Sequence, residues 1–514
     1  LFRKIAEEIA TLVKKYNGSL SGEHGDGRLR GEFIKQMIGE KNYALLKEVK
    51  HSWDPENIFN PNKIIDTPPM NTMLRYTPGQ KTPAFKTIFR FHNQDILQHA
   101  EQCNGSGDCR KTHISGGTMC PSFMATRNEK DTTRARANML REFLTNSDKI
   151  NRYDHQQIYE VMDLCLSCKA CKSECPSNVD VAKLKAEFLQ HYYDEHGVPF
   201  RSKLIAGFNR SSALGAIAPA IYNYLVTGKG ISSLVKRISG FAQKRSMPTL
   251  HSTTLKSWYK KHKKNAQEKT GNRKVYLFCD EFTNFNDTEI GIKAILTLEK
   301  LGYEIIIPEH GESGRAWLSK GLIRDAQKII NRNIDLLSPL ISAETPLIGI
   351  EPSAILTFRD EYPDLADDSR LEAAKKIKSH VFLIDEFIAK EIEAGNIHKD
   401  QFTREEKKIM LHGHCQQKAL SSVDPSVKIL SLPENYTVQT IPSGCCGMAG
   451  SFGFEKEHYD ISMQIGELVL FPAIRNNGGE TIIAAPGTSC RHQIKDGTGR
   501  KALHTIEVLY QALI

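Results

Sequence analysis

Hydrophobic positions along the chain follow one spacing before residue 270 and another after it. Up to about residue 195 the apolar side chains recur with helical spacing, which predicts helices at 1–16, 134–144 and 181–193. After residue 270, short apolar runs predict strands at 274–278, 303–308 and 481–485, with a helix at 288–301. Strands alternating with helices are typical of α/β domains built on a parallel sheet.

The region after residue 270 also predicts an internal duplication. Its first half contains Cys279, the loop at 310–314 and the segment Glu351-Pro352-Ser353. The second half contains the apparent counterparts, which are Cys415, the loop at 444–447 and the segment at 486–490. Most of the cysteines are absent from the first copy, so we expect only the second copy to hold a metal.

Breaks in the hydrophobic pattern divide the chain, and the fold class expected is α+β with several domains. The prolines of Thr67-Pro68-Pro69 and Thr77-Pro78-Gly79 predict a linker after the first domain. The predicted domains are a mixed segment at 1–66, a helical segment with seven cysteines in its loops at 67–199, a basic helical connector at 200–270 and the duplicated α/β region at 271–514.

Charge and hydropathy argue against nucleic acid as a partner and against a membrane-spanning helix. The net charge of +9 over 514 residues is modest and not clustered, so nucleic acid is not expected as a partner. The apolar run at 214–226 is interrupted by polar residues well before the ~20 positions of a membrane span. The basic cluster at 256–264 is interpreted as a solvated helix, with peripheral contact to the inner face of the membrane as the alternative.

Twelve cysteines, grouped at short spacings, indicate metal binding in a reducing cytoplasm rather than disulfides. The strongest signal is the unbroken C-x2-C-x2-C-x3-C-P run that begins at Cys165 and ends at Pro176. This spacing is specific for ferredoxin-type [4Fe-4S] clusters. Zinc is the alternative, because four thiolates can also hold Zn²⁺ tetrahedrally.

In such runs the fourth cysteine usually serves a different cluster from the first three. Cys165, Cys168 and Cys171 therefore need a fourth ligand, and Cys120, which also precedes a proline, is the candidate. Cys175 would then join Cys103 and Cys109, a set one thiolate short of a second [4Fe-4S] cluster. A three-iron cluster, a ligand other than cysteine, and no second cluster remain open.

Near the start of the chain, Ser21-Gly22-Glu23-His24-Gly25-Asp26-Gly27-Arg28 is followed by Trp53-Asp54-Pro55 and by Phe59-Asn60-Pro61-Asn62-Lys63. These segments resemble the C-terminal end of FAD-linked D-2-hydroxyacid dehydrogenases of the vanillyl-alcohol-oxidase type. Together with the cysteine motifs, the whole chain resembles the C-terminal half of the large fused D-2-hydroxyglutarate or D-lactate dehydrogenases. The resemblance implies a flavoprotein cap-domain remnant, an α-helical ferredoxin domain and a duplicated cysteine-rich domain.

The resemblance also implies roles for residues of the first segment. Glu23 would bind a divalent metal that holds the substrate, His24 would take the hydroxyl proton as hydride moves to the flavin, and Arg28 would steady an anion. Asn60 and Lys63 would contact FAD. The family's remaining metal ligands and its FAD pyrophosphate site lie upstream of this chain, which begins with Leu1 and which we expect to be truncated and to bind FAD poorly alone.

Cys445-Cys446-Gly447, with Cys415 before it and Cys490 after it, resembles the cysteine-rich (CCG) domain of heterodisulfide reductase and of fused lactate or glycolate oxidases. Four thiolates there could hold an iron–sulfur centre or zinc, and burial as small apolar side chains is the alternative. We expect His414 and His492 to be loop residues or to support the ligands rather than to bind the metal.

The function expected is electron transfer from FAD-dependent oxidation of a D-2-hydroxy acid, through iron–sulfur centres, to a quinone, a flavoprotein or a similar acceptor. One rival is a stand-alone electron-transfer subunit of a glycolate or glycerol-phosphate oxidase, which would not need the segment at Glu23-His24. The other is a disulfide reductase built on the double-cysteine domain, which would need a second cluster facing the substrate; the loss of cysteines from the first copy argues against it. The identities of the hydroxy acid and the acceptor are left open.

Overall fold

A computed structural model describes residues 1–74, 79–265 and 273–514. Thr77 and Pro78 of the predicted linker, and the end of the predicted basic connector at 266–270, lie outside these residues. The chain divides into two compact units, Leu1–Pro83 and Ala84–Ile514. No helix among the described residues has the length and apolar character needed to cross a membrane.

The first unit is built from helices, so the mixed character predicted for 1–66 is wrong for the described residues 1–74. Its helices are Phe2–Lys15 (α1), Gly31–Ile38 (α2) and Glu40–Trp53 (α3). A small core of Ala10, Phe33 and Met70 holds α1, α2 and the chain after α3 together. The predicted helix at 1–16 is confirmed as α1.

The second unit begins with helices that surround the cysteine run. They are Ile96–Glu101 (α4), Pro121–Thr126 (α5), Thr133–Asn146 (α6), Gln156–Asp163 (α7), Ala170–Glu174 (α8) and Val181–His196 (α9). Thr132 caps α6 and Asp180 caps α9 through side-chain hydrogen bonds, and Gly197 ends α9 at φ 76°. The predicted helices at 134–144 and 181–193 are confirmed, because an apolar stripe and a polar N-cap agree in both and a terminal glycine ends the second.

A second group of helices follows, in the region predicted as a connector. They are Phe200–Ala206 (α10), Phe208–Gly215 (α11), Pro219–Thr227 (α12), Ile231–Ser239 (α13) and Leu255–Asn265 (α14). Leu255 of α14 is fully buried, and Trp258 and Tyr259 pack against the core of the following α/β region. The apolar side of α14 is therefore used inside the fold.

The rest of the unit contains two four-stranded parallel sheets. Their strands are Arg273–Phe278 (β1), Tyr303–Ile306 (β2), Leu347–Gly349 (β3), Val381–Leu383 (β4), Lys407–Leu411 (β5), Tyr436–Thr440 (β6), Ile482–Ala484 (β7) and Ala502–Leu503 (β8). The sheet orders are β2-β1-β3-β4 and β6-β5-β7-β8, so each sheet has the same strand arrangement. The strands predicted at 274–278, 303–308 and 481–485 are confirmed, with shorter ends.

Helices connect the strands and cover both sheets. Around the first sheet they are Glu281–Phe285 (α15), Thr288–Lys300 (α16), Arg315–Ser319 (α17), Ile323–Leu337 (α18), Pro352–Ile355 (α19), Thr357–Leu365 (α20), Leu371–Ser379 (α21) and Ile384–Glu393 (α22). Around the second they are Cys415–Leu420 (α23), Asp424–Leu430 (α24), Tyr459–Leu468 (α25), Leu470–Arg475 (α26), Thr488–Thr498 (α27) and Thr505–Ala512 (α28). The carboxyl ends of parallel strands gather the loops that carry functional residues, and the cysteines of the second sheet follow this rule.

Candidate metal centres and flavin-linked segment

The cysteine run forms a tight, buried loop between α7 and α9. Cys168 and Cys171 are buried and Cys165 is half-buried. Ser167 and Lys169 have φ of 51° and 64°, values that residues with a side chain rarely adopt. Backbone strain of this kind persists where the surrounding structure fixes it, commonly at ligand sites. Cys171 lies in the first turn of α8, which corrects the expectation that all seven cysteines lie in loops.

Backbone N–H groups point at the sulfurs of this loop. The amides of Val181 and Ala182, at the start of α9, donate to Cys171, and the amide of Ala170 donates to Cys168. Burial raises the pKa of both thiols, and these hydrogen bonds act against that rise because they favour the thiolate. Amide donors to sulfur are a general feature of iron–sulfur sites, so the loop fits a cluster that binds thiolates.

Cys120 lies against the cysteine run. Its φ of 58° turns the chain immediately before Pro121 and α5. Its sulfur accepts a hydrogen bond from the amide of Thr133 at 3.0 Å, and its charge interacts with that of Cys171. Cys120 also donates to the sulfur of Cys109, which lowers the pKa of Cys109. The predicted fourth ligand thus lies between the run and the second cysteine set.

The second set is less complete. Cys103 and Cys109 are buried near Arg134, whose amide donates to the sulfur of Cys109 at 3.4 Å. Cys175 is half-buried at the end of α8, with its amide bonded to the carbonyl of Cys171. The assignment of Cys103, Cys109 and Cys175 to one cluster therefore stays a prediction.

The second sheet gathers the remaining predicted ligands at its carboxyl edge. Cys415 begins α23 just after β5, Cys445 and Cys446 lie in the loop after β6, and Cys490 lies in the first turn of α27 after β7. All four are buried. Two of them lie on helices rather than on loops, since both α23 and α27 begin immediately after a strand end.

The four thiols lie close enough to shift one another's pKa. Cys445 lowers the pKa of Cys415, and Cys445 and Cys490 lower that of Cys446, whereas the pKa of Cys445 and Cys490 is raised. The half-buried Lys418 ammonium lies close to all four sulfurs and donates to the carbonyl of Gly444 at 3.0 Å. A cation beside several thiols stabilises thiolates, the form that binds metals.

His412 is a candidate ligand that the sequence did not reveal. Its ring is fully buried, and its Nδ1 pairs with the hydroxyl of Ser443 at 2.7 Å. One nitrogen of His412 and the sulfurs of Cys446 and Cys490 all lie within 4.8 Å of one another. A pair held through Nδ1 is the usual way to orient a histidine that binds a metal through Nε2.

His414 and His492, which were not expected to bind the metal, lie in different positions. His414 caps α23 by accepting from the amide of Gln416, and its Nε2 lies 4.0 Å from Glu351 of the first sheet. His492 lies within α27, not in a loop, and pairs with Ser246 at 2.8 Å. Neither belongs to the group formed by His412, Cys446 and Cys490 among the described residues.

The two cysteine sites of the second unit are neighbours. The charge of Cys415 is, after burial, the largest cause of the raised pKa of Cys168. The backbones also meet, because a Cβ on Gly444 would lie 2.9 Å from the carbonyl oxygen of Gly117. Gly117 and Gly444 therefore bring the loop before Cys120 against the loop of Cys445, with no space for a side chain.

In the first unit the predicted catalytic residues lie on one exposed loop. The side chains of Glu23 and His24 are each 88% exposed, with Glu23 Oε2 and His24 Nε2 3.6 Å apart. Arg28 donates to the carbonyl of Thr72 at 2.7 Å. The amide of Ile64 donates to the carbonyl of Gly27, which places the predicted FAD contacts beside this loop.

Asn60 and Lys63 are exposed and pair with each other at 3.3 Å. The turn that carries them is fixed by the buried Asp54, whose carboxylate accepts from the amides of Ile58 and Phe59. The structure therefore places the five predicted residues of this unit on two segments joined by a backbone hydrogen bond, a glycine-containing loop and a capped turn.

Comparison with known proteins separates the flavin-linked segment from the cysteine segment in the same way. Residues 1–64 match the family model of FAD linked oxidases, C-terminal domain, and residues 102–180 match the 4Fe-4S dicluster domain. The chain is 26% identical over 559 residues to D-2-hydroxyglutarate dehydrogenase of Escherichia coli (strain K12), which covers 100% of the chain and 53% of that protein. The whole chain aligns with these dehydrogenases but spans only about half of their length.

Two further relatives match parts of the chain. One subunit of the anaerobic glycerol-3-phosphate dehydrogenase of Escherichia coli (strain K12) is 23% identical over 66% of this chain and 83% of its own length. Lactate utilization protein A of Bacillus subtilis (strain 168) is 27% identical over 46% of this chain and 98% of its own length. No solved structure matches the chain.

The two family models confirm FAD and [4Fe-4S] as the cofactors of the matched segments. The resemblance drawn from the residues is likewise confirmed: the chain joins an FAD-linked oxidase C-terminal segment to a 4Fe-4S dicluster segment, and along its whole length it is similar to about half of the D-2-hydroxyglutarate dehydrogenases.

Proposed function

We propose that the chain takes electrons from the FAD-dependent oxidation of a D-2-hydroxy acid and carries them through iron–sulfur centres to an external acceptor. The observation that supports this best is the nearness of Cys168 to Cys415 within one compact unit. Two thiolate sites side by side in a protein interior suit electron transfer better than they suit two structural metals. The names of the relatives suggest D-2-hydroxyglutarate and lactate as substrates.

The first segment would complete the substrate site together with an FAD-binding segment. An exposed carboxylate and an imidazole 3.6 Å apart offer one hard oxygen ligand and one proton acceptor. We assign metal and substrate binding to Glu23, acceptance of the hydroxyl proton to His24, and anion binding to Arg28. FAD, when bound, supplies the acceptor for the hydride, and Asn60 and Lys63 would contact it.

In the second unit, Cys120, Cys165, Cys168 and Cys171 would hold one [4Fe-4S] cluster, and Cys103, Cys109 and Cys175 would contribute to another. We propose a further centre at Cys415, Cys445, Cys446 and Cys490, with His412 as an added ligand. The chain's own contribution there is the half-buried Lys418, which balances thiolate charge.

A second candidate function is a separate electron-transfer subunit, favoured by the similarity over 66% of the chain to a subunit of the anaerobic glycerol-3-phosphate dehydrogenase. The match of residues 1–64 to an FAD-linked oxidase domain weighs against it. A disulfide reductase is less well supported, because the first sheet region contributes only Cys279.

The test is a panel of D- and L-2-hydroxy acids added to this chain combined with its FAD-binding segment, with a dye as the final acceptor. The expected result is bleaching of the flavin by one D-enantiomer, followed by reduction of the clusters seen by electron paramagnetic resonance. Clusters that can be reduced chemically, in a protein whose flavin no hydroxy acid bleaches, would support the separate electron carrier instead.

A further inference from the structure

The second unit contains a cavity of about 910 Å³ between the two cysteine sites. Cys165 and Cys168 line one part of its wall, and Cys415 lines another. The opposite wall is formed by α10 to α13, which contribute Phe208 and Val226 among others. Any molecule held in this cavity would lie next to both candidate centres.

Aromatic side chains form much of the cavity wall. Phe208 and Phe282 stack with ring centroids 5.3 Å apart, and Phe452 stacks on His458 at 4.3 Å. Tyr222 is a further lining residue. Aromatic walls of this kind favour a flat ring, because offset stacking and burial of apolar area both stabilise it.

One part of the wall also carries groups that can hold protons. His458 and Glu455 are buried side by side, and His458 Nε2 lies 2.8 Å from the carboxylate of Asp163, whose side chain is 41% exposed. Arg201 and Lys320 pair with Glu455, which balances its charge. A polar end in an otherwise apolar cavity suits a ligand with oxygen atoms on an aromatic ring.

The helices that wall the cavity are apolar on their outer side as well. Large hydrophobic side chains are exposed along them, namely Phe200, Leu214, Ile217, Ile221, Tyr224, Leu234 and Ile238. Residues 200–240 include six basic residues and no acidic residue. Many exposed large apolar side chains among basic residues, with no acidic residue, are the pattern of a helix group that lies on an anionic lipid surface. The basic helix α14, by contrast, buries its apolar side.

We propose that the cavity binds a lipid-soluble quinone, which reaches it from a bilayer on which α10 to α13 lie. The proposal rests on the proposed function for the origin of the electrons. Oxidation of one hydroxy acid to the 2-oxo acid releases two electrons and two protons, and reduction of the quinone to the quinol takes up two of each. His458 and Asp163 stand where a proton can be delivered to a quinone oxygen.

The test begins from the chain with its clusters reduced by dithionite, freed of excess reductant, so that no hydroxy acid is needed. A short-chain ubiquinone analogue is added, its binding is measured by calorimetry with the oxidised protein, and reoxidation is followed by absorbance. Ser211→Trp fills the cavity from α11, and Ala213→Trp places the same ring on the exposed side of that helix. Cluster spectra of both variants report correct folding.

We expect Ser211→Trp to weaken quinone binding and slow reoxidation by about tenfold or more, with Ala213→Trp unchanged. Reoxidation by ferricyanide, a water-soluble oxidant, should be the same in all three proteins. Unaltered quinone binding in Ser211→Trp, or no quinone binding by the parent chain, would overturn the proposal. A parent chain that binds quinone but fails in the hydroxy acid panel would refute only the proposed function.

The bilayer part of the proposal has its own measurement. The parent chain should sediment with vesicles of phosphatidylethanolamine and phosphatidylglycerol, and Ile217→Glu with Ile221→Glu should abolish this, because both residues are exposed on the outer face. The same double variant should react normally with the short-chain quinone in solution. Failure of the parent chain to bind these vesicles would show that the quinone does not arrive from a bilayer.

Discussion

Replacing Asp360 by Asn should loosen the contact between the cysteine run and the first sheet. Asp360, on α20, has a side chain that is 1% exposed and pairs with Lys169 at 2.8 Å and with Lys183 at 2.9 Å. Lys172 forms a third pair with it. Lys169 stands inside the cysteine run, between Cys168 and Cys171, so this carboxylate anchors the cluster loop.

The free-energy cost of Asp360→Asn follows from the burial of this side chain. Asn has nearly the same shape as Asp, so the change removes the charge and leaves no cavity. Removing one partner of a buried ion pair costs about 3–5 kcal/mol, because the other charge is left uncompensated. The remaining pairs of Lys169 with Glu361 and of Lys183 with Asp364 favour the lower end of that range. A cost of about 3 kcal/mol speeds amide exchange by local opening about 10²-fold.

Hydrogen–deuterium exchange of α8, α9 and α20 measures this directly. Asp368→Asn is the control, because its pair with Arg90 is exposed and such pairs contribute only about 0–1 kcal/mol. Burial raises the pKa of Asp360, but Lys169, Lys183 and Lys172 together lower it well below its ordinary value. The stabilisation is thus fully present above the unfolded pKa of about 4 and is lost as pH falls through the lower folded pKa. Equal exchange in Asp360→Asn and in the parent chain at pH 7 would refute this account.

The other predictions concern the metal centres and the flavin-linked loop. Cys168→Ser should abolish the paramagnetic signal of the first cluster, whereas Cys279→Ser, at a buried cysteine outside the run, should leave it unchanged; the reverse would refute the ligand assignment. His412→Ala should lower the metal content of the second-sheet centre without loss of the first-cluster signal, and an unchanged metal content would show that His412 is not a ligand. With the FAD-binding segment present, His24→Ala should slow flavin reduction by about 10²- to 10⁴-fold in stopped flow. Glu23→Gln should weaken metal and substrate binding together, which metal analysis and the substrate dependence of flavin reduction would check.

Local signals explain what the sequence predicted well. The cysteine run and the helical spacing of apolar positions in α9 act over a few residues, so their meaning is fixed before the chain folds. The strand at 274–278 was also predictable, because a short run that contains Val275, Tyr276 and Phe278 favours a strand over a helix. The identity of the FAD-linked segment came from a family resemblance rather than from periodicity.

The features that escaped prediction depend on residues far apart in the chain. No residue near Lys169 in the sequence marks it as buried, because its partner Asp360 stands 191 residues later. His412 was not singled out beside His414, because only the end of β5 decides which of the two rings meets Cys446. The apolar outer face of α12 and α13 was hidden in a segment interpreted as a basic connector.

The backbone contact between Gly117 and Gly444 also bears on how electrons would move. Electron tunnelling weakens exponentially with distance, so many redox proteins wait for a mobile domain to swing one centre toward the next. Here two loops touch without room for a methyl group, and both belong to one compact unit. Transfer between the two cysteine sites then requires no domain swing, and its rate should be independent of solvent viscosity.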